Sequence, residues 1–277
     1  MRIATVNVNG IRAAARKGMG EWLSASAPDI LLLQEVRADE QIAVDLLPGY
    51  EAAIWPCRIK GRAGVGVAVR EGGPATLGEL RYGVAAAGTE EPDVDSGRWL
   101  EADLSLTGFD GLERLTVISA YLHSGQLGTE KMDQKYAHLE LVDARMAELL
   151  ESSESGGPQV IMAGDLNVVR SERDIKNWKP NHNKTAGVLD EEIAHLEGWF
   201  ASGWIDVARW LAPGEQGPYT WWSQRGRAFD NNAGWRLDYQ VATPRLAKRA
   251  SAFTVDRADS HDTRWSDHAP LVVDYAF

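Results

Sequence analysis

Cysteine is almost absent from this chain of 277 residues: Cys57 stands alone, which excludes an intramolecular disulfide and a cysteine-based zinc cluster. Positive charge is scarce as well. Lys and Arg number 29 against 40 Asp and Glu, and the formal charge of −11 argues against a polybasic binder working through net charge. A local basic groove remains open, and an acidic excess suits a site that collects cations. No uninterrupted apolar run reaches the ~18 residues of a membrane span, and no repeat of ~20–50 residues marks a solenoid. The N-terminus runs straight into a strand-like stretch, without the basic-then-apolar signature of a secretory leader. The expectation is a protein of a reducing compartment, the cytoplasm, with no membrane partner. Its 44% hydrophobic content suffices for a large core in one or two domains.

What is present is organised around Val160-Ile161-Met162-Ala163-Gly164-Asp165-Leu166-Asn167. This short apolar run, preceded by Gly156-Gly157-Pro158, reads as a strand buried on both faces. Asp165 and Asn167 then stand where the chain leaves the sheet, the end at which open α/β sheets keep their ligand crevices. A carboxylate and an amide two apart on extended backbone point the same way and can converge on one ligand. A plain turn cap is the competing reading for Asp165. Other strands repeat the pattern. Arg2 to Val8 ends in Asn7-Val8-Asn9-Gly10, Ile30 to Leu33 runs into Gln34-Glu35, and 114–121 ends in Ala120-Tyr121. Trp235 to Tyr239 opens a strand with Asp238, and Ser266-Asp267-His268 precedes the apolar run Leu271 to Tyr275.

Between these strands, residues 12–25 read as one Ala-rich helix. Residues 130–151 give the clearest helix, with Met132, Tyr136, Leu139, Val142, Met146 and Leu149 on one apolar stripe. Segments 51–56 and 64–70 read as a hairpin, and 83–96 as a surface excursion. The polar loop 171–187 carries Asp174, Lys176, Asn177, Asn181 and Lys184, and at that length it reads as functional. Asp190 is expected to cap the helix that follows. Trp221, Trp222 and Trp235 flank an Arg- and Asn-rich loop, a composition suited to stacking on or wedging into nucleic acid. The strands fall into successive sets on either side of the 130–151 helix, so two sheets packed face to face with helices outside are expected.

Polar groups thus gather at the ends of at least five strands. Without cysteine ligands, an oxygen-rich cluster suits Mg²⁺ or Mn²⁺ better than Zn²⁺. A histidine backed by Asp238, beside such a cluster, suits hydrolysis of a phosphate ester. The ordered set Asn7-Val8-Asn9-Gly10-Ile11-Arg12, Leu33-Gln34-Glu35, Ala120-Tyr121, Gly164-Asp165-Leu166-Asn167, Asp174-Ile175-Lys176-Asn177, Phe229-Asp230-Asn231-Asn232, Trp235-Arg236-Leu237-Asp238-Tyr239 and Ser266-Asp267-His268-Ala269-Pro270 closely resembles the exonuclease III family of apurinic/apyrimidinic endonucleases. That family lies within the endonuclease/exonuclease/phosphatase superfamily, and the match runs in order along essentially the whole chain.

The resemblance implies an α/β fold formed by one domain, residues 1–277: a four-layered sandwich of two packed mixed sheets flanked by helices. It implies Mg²⁺-dependent cleavage of double-stranded DNA 5′ to abasic sites. Members often add 3′→5′ exonuclease and 3′-phosphatase or 3′-phosphodiesterase activity on blocked 3′ ends. Carried onto matching positions, Glu35 would be the principal metal ligand, with Asn9 and Asp267 nearby and Asp165 and Asn167 beside it. Asp165, supported by Asn167, would position or deprotonate the attacking water. His268, paired with Asp238, would contact the scissile phosphate, Tyr121 the phosphate or leaving oxygen, and Asn7 would hold the network. Trp221, Trp235 and Leu237 would form an apolar pocket for the baseless sugar, with Ser124, Arg98, Asn177 and Asn181 touching the DNA.

Some positions depart from the family. Asn9 stands where some relatives carry Asp, and His123 and Ser124 follow Tyr121 where many have Pro and then Asn or Gln. Ser124 reaches less far and offers one hydroxyl donor in place of an amide's two. Two other readings stand beside the first: a phosphoesterase acting on RNA, inositol phosphates or a phospholipid headgroup, and a catalytically silent DNA-binding relative. The intact set of Glu35, Asp165, Asn167, Asp238, Asp267 and His268 argues against silence. For a DNA substrate, the acidic chain is expected to gather Arg58, Lys60, Arg62, Arg98, Lys131, Lys176, Lys179, Lys184, Arg225 and Arg227 on the rim of the site. Nothing in the sequence demands an oligomer or an obligate protein partner.

Overall fold

The computed structural model describes residues 1–84, 90–109 and 111–276. The first strands are β1 (Arg2–Asn7), β2 (Ile30–Gln34), β3 (Tyr50–Trp55) and β4 (Val65–Arg70). There follow β5 (Ala75–Tyr82), β6 (Trp99–Leu106), β7 (Arg114–Tyr121) and β8 (Gln159–Asp165). The last are β9 (Ile205–Asp206), β10 (Asp238–Ala242), β11 (Ala250–Val255) and β12 (Leu271–Tyr275). They form two six-stranded sheets, ordered β11-β12-β1-β2-β4-β3 and β5-β6-β7-β8-β10-β9. Each sheet is mixed, with one parallel pair near its centre: β1 beside β2, and β7 beside β8.

The two-residue period of a strand sorts these sequences into layers. Ile3, Ile30, Leu32, Val65 and Val67 face Leu100, Ala102, Leu115, Val117, Ile161 and Ala163 across the gap between the sheets. Their neighbours Ala4, Val6, Leu31 and Leu33 turn outward onto α1 (Ile11–Arg16), α2 (Met19–Ser26) and α3 (Glu40–Asp45). On the far side, Ile118, Ala120, Val160 and Met162 meet α4 (Glu130–Glu154), and α6 (Asp190–Ser202) packs there through Leu196 and Trp199. Four layers result. Because β1, β2 and β8 are buried on both faces, each Leu or Ile in them contributes about 1.5–3 kcal/mol of burial.

Polar residues fix the two sheets against each other. Gln34 Nε2 on β2 donates to Ser119 Oγ on β7 at 3.0 Å, and Gln240 Nε2 on β10 donates to the Ile3 carbonyl at 2.9 Å. Buried donors and acceptors tolerate no slip, because a lost partner costs about 1–3 kcal/mol. These links hold the sheets' carboxyl ends in register.

The hairpin β3–β4, the long α4 and the last strand form as the sequence predicts. Several expectations are corrected. The Ala-rich stretch is two helices, because Gly18 adopts φ +111 and breaks the chain between Arg16 and Met19. The strands are not divided at α4: β11 and β12 return to pair with β1, while β5 to β7 join β8 to β10 in the other sheet. The 171–187 stretch is not structureless; it contains a 3₁₀ turn, Glu172–Asp174, and α5 (Trp178–Asn181). Asp190 is the first residue of α6 and accepts from Asn183 at 2.7 Å; Leu189 holds the cap position instead, and its N–H donates to Glu192 Oε2 at 3.1 Å. In the 83–96 excursion, Glu91, Asp95 and Ser96 are buried, whereas 85–89 lie outside the described residues, as does Asp110.

Candidate active site

Strand register brings the polar ends together. Asp165 at the end of β8 stands directly between Tyr121 at the end of β7 and Asp238 at the start of β10. In the other sheet, Asn7 pairs with Gln34, which delivers Glu35 next. Gly164 makes this possible: at φ +151 its missing Cβ would lie 1.9 Å from the Ala120 carbonyl, so no other residue fits before Asp165. Asn9, Glu35 and Asn167, each just past a strand, take left-handed φ of +46, +49 and +51. Non-glycine residues persist there only when surroundings over-determine them.

Asn7 is fully buried and joins the sheets. Its Nδ2 donates to Glu35 Oε1 and to Asp165 Oδ2, both at 2.9 Å, and its Oδ1 accepts from Asn9 N–H at 3.0 Å. Asn9 Nδ2 donates to Asp267 Oδ1 at 2.8 Å, and Trp221 Nε1 donates to Asp267 Oδ2 at 3.2 Å. His268 Nδ1 lies 2.8 Å from Asp238 Oδ2, and its Nε2 is 3.7 Å from Asp165 Oδ2. Asn167 N–H donates to Asp165 Oδ1 at 3.0 Å, and its Nδ2 donates to the Leu122 carbonyl at 2.9 Å.

These contacts set the charges. Burial alone would lower the His268 pKa, but Asp238 and Asp165 outweigh it and raise it well above the ordinary imidazole value. Burial pushes Asp165 upward, against the pull of His268. His268 therefore keeps its proton at neutral pH, beside an Asp165 carboxyl whose own proton affinity is raised. Burial would also raise Asp267, but His268 and the donors Trp221 and Asn9 hold it below the usual carboxylate range. Burial, then Glu35 and Asp165, keep the Tyr121 phenol far above its ordinary value, so it is a neutral hydroxyl.

A cavity of about 730 Å³ opens over this network. Asn9, Glu35, Tyr121, Ser124, Asp165, Asn167, Trp221, Trp235, Leu237, Asp267 and His268 all line it. Trp221 and Trp235 meet edge to face at 5.6 Å between ring centres and form an apolar wall with Leu237. Asn7 and Asp238 stand behind the lining. Asn177 and Asn181 do not reach the cavity: Asn181 Nδ2 donates to the Asn177 carbonyl at 2.7 Å within α5. Arg98 sits behind Tyr121, its guanidinium 4.8 Å from the ring centre and its Nη1 3.3 Å from the Tyr121 carbonyl. Trp222 is core, packed on Phe229. Asp174 is a buried ion-pair partner of Arg236 and Arg209. Of the expected basic rim, Lys184 lines the cavity, whereas Arg58 turns to Asp93.

Arg37, Gly125, Gln126, Leu127, Thr185 and Ala186 complete the lining, and sequence reasoning named none of them as a site residue. None stands at a strand end, although Thr185 and Ala186 belong to the 171–187 loop whose length and polarity marked it as functional. Arg37 pairs with the Glu35 carboxylate.

The donor set fits a hard divalent cation. Glu35, Asp165, Asp267, Asn9 and Asn167 offer oxygens around one solvent-reaching cavity, without a sulfur ligand among them. Asp165, Asp238 and His268 also bring ligand atoms within 4.8 Å of one another. There, His268 Nδ1 is committed to Asp238, which is fully buried, whereas the oxygens around Glu35 face the cavity and are the group that could hold such an ion.

Known proteins resemble this chain in sequence and fold. The pattern that defines the Endonuclease/Exonuclease/phosphatase family matches residues 4–268. An exodeoxyribonuclease of Bacillus subtilis is 32% identical over 273 residues, covering 98% of each chain. A DNA-(apurinic or apyrimidinic site) endonuclease of Dictyostelium discoideum is 30% identical over 99% of this chain and 70% of its own. The structure of an AP endonuclease from Archaeoglobus fulgidus superposes over 100% of both chains, with a TM-score of 0.81 and 26% identity. With its two-sheet sandwich, its strand-end network and a family match over nearly its full length, the chain belongs to the endonuclease/exonuclease/phosphatase family, beside exodeoxyribonucleases and AP endonucleases.

Proposed function

We propose that the chain is a DNA-repair phosphodiesterase that hydrolyses the backbone of double-stranded DNA 5′ to an abasic site, with 3′→5′ exonuclease and 3′-phosphatase or 3′-phosphodiesterase activity. One observation carries this reading. Asp165, fixed by Asn7 and the Asn167 N–H, opens with a charged His268 and the apolar wall of Trp221, Trp235 and Leu237 onto one cavity. A phosphate and a baseless sugar would need that juxtaposition.

Asp165 orients the attacking water and accepts its proton, held in line by Asn7 and Asn167. The His268 imidazolium donates to a non-bridging phosphate oxygen as charge builds there, and Asp238 keeps it charged and aimed. Tyr121, a neutral phenol braced by Arg98, donates to the phosphate or the leaving oxygen. The Trp221–Trp235 wall accepts a deoxyribose but crowds an attached base, and extrusion is cheapest where no base stacks. Mg²⁺, or Mn²⁺ in its place, would be held by Glu35 with Asp267, Asn9, Asp165 and Asn167, and when bound it neutralises charge on the phosphoryl group. A monomer acting as one domain over residues 1–277 is sufficient for these steps.

A duplex carrying one tetrahydrofuran abasic analogue tests the reading. Incision 5′ to the analogue with Mg²⁺, abolished by EDTA and reduced by about 10³-fold or more in Asp165→Asn, is expected. Intact duplex after incubation with folded, Mg²⁺-supplemented protein would sink it.

A further inference from the structure

We propose that Lys135, a buried lysine on α4, is a positioning residue: its ammonium ties three separate pocket-lining segments into one rigid wall. The inference rests on the proposed phosphodiesterase reading for its kinetic arm only.

Lys135 is fully buried, an unusual place for a lysine unless its charge is matched and its protons are used. Nζ lies 2.5 Å from Glu192 Oε1, donates to the Asn167 carbonyl at 3.0 Å, and reaches the Ser124 carbonyl at 3.5 Å. The ammonium thus pairs with one carboxylate and donates to two carbonyls, drawn from three stretches of chain. Glu192 carries the connection onward, its Oε2 accepting the Gly187 N–H at 2.5 Å and the Leu189 N–H at 3.1 Å. Gly187 directly follows Thr185 and Ala186, and with Ser124 and Asn167 these residues line the cavity.

The stem of Lys135 contributes as well. A Cβ on Gly125 would stand 3.2 Å from Lys135 Cδ and 3.4 Å from Ala186 Cβ, so the Ser124–Leu127 loop and the 184–186 loop close over the aliphatic chain. Asn167 is the member that matters most. Its backbone takes a left-handed φ while its N–H holds Asp165, so a shift of its carbonyl is transmitted to the reacting carboxylate. Misplacement by about 1 Å can cost ~10²-fold in rate.

A set of variants separates positioning from mere stability. Lys135→Met strands the Glu192 carboxylate and should lower both thermal stability and turnover. Lys135→Met/Glu192→Gln removes both charges, and stability should largely return, since a buried pair replaced as a pair is close to neutral. Its kcat on the tetrahydrofuran duplex should stay about 10- to 100-fold low with KM within about threefold, and Lys135→Arg should recover most of it. Hydrogen exchange gives a readout independent of substrate: the double variant should lose protection at 124–127, 167–169 and 185–189 together. If wild type fails to incise, the functional reading falls, and the exchange pattern alone decides the positioning role. Recovery of both kcat and stability in the double variant, or exchange confined to α4, would overturn the proposal.

Discussion

Two buried histidine–aspartate pairs stand in and near the site, and their histidines are shifted in opposite directions. His268 and Asp238 lie 2.8 Å apart, His123 and Asp95 2.6 Å apart, and all four residues are buried. Yet the His268 pKa is raised to about 10, whereas that of His123 is lowered. Burial opposes the charged form in both. The difference lies in what else surrounds the ring: His268 faces Asp165 and Asp267 besides Asp238, while His123 meets Arg98 and Lys135 besides Asp95. Beside His123 stands His138, at 5.2 Å between ring centres, with both ring nitrogens unpartnered and its pKa lowered to about 3. A short contact to one carboxylate does not make an imidazolium; the sum of neighbouring charges does.

The largest expected effect comes from removing the charge that distinguishes the first pair. In Asp238→Asn the carboxylate that raises the His268 pKa is gone, so the imidazolium is lost at lower pH. At pH 8, kcat on abasic duplex should drop by about 10²–10⁴-fold, with partial recovery toward pH 6 as the ring recharges. A pH–rate profile parallel to wild type would show that His268 does not act as a cation. The matching change in the second pair, Asp95→Asn, should behave differently. It should cost about 1–3 kcal/mol of stability through the weakened buried hydrogen bond, with kcat/KM within about tenfold of wild type. A loss of activity equal to that of Asp238→Asn would erase the distinction between the pairs.

The smallest effect is an acid sensitivity. A group whose folded pKa lies below its unfolded value contributes stability above the unfolded pKa and loses it as pH falls through the window between them. For His138 that window runs from 6.5 down to about 3, its depressed value following from burial and then from His123. Calorimetry between pH 7 and 4 should therefore show a shallower fall in Tm for His138→Leu than for wild type, the difference reaching up to about 1.4 kcal/mol per pH unit. Identical slopes would mean that His138 finds a partner when protonated.

The legibility of the molecule from its sequence was uneven for physical reasons. Asp165 and Glu35 announced themselves because a charge terminating an apolar run has no packing explanation. Lys135 did not, because one lysine among the polar residues of a long helix looks solvated; only the placement of Glu192 and of the Asn167 carbonyl shows that it is not. Arg37 was hidden by its position past a strand end, in a left-handed turn. Asn177 and Asn181, placed at the DNA by the resemblance, lie outside the cavity, and the Asn181 amide donates to the Asn177 backbone carbonyl.

The sequence by itself determined the layers. Apolar period, length and turn residues decide which segments become buried strands, because burial energy and backbone pairing act over a few residues. It also marked the strand ends where chemistry collects. Strand order was decided only in three dimensions: β12 pairs with β1 across almost the entire chain, a choice governed by which exposed edge and which face remain to be covered. Charge state was decided there as well. His268 and His123 are the same residue type with the same kind of partner, and only the surrounding carboxylates and cations, gathered from distant parts of the chain, raise the pKa of one and lower that of the other.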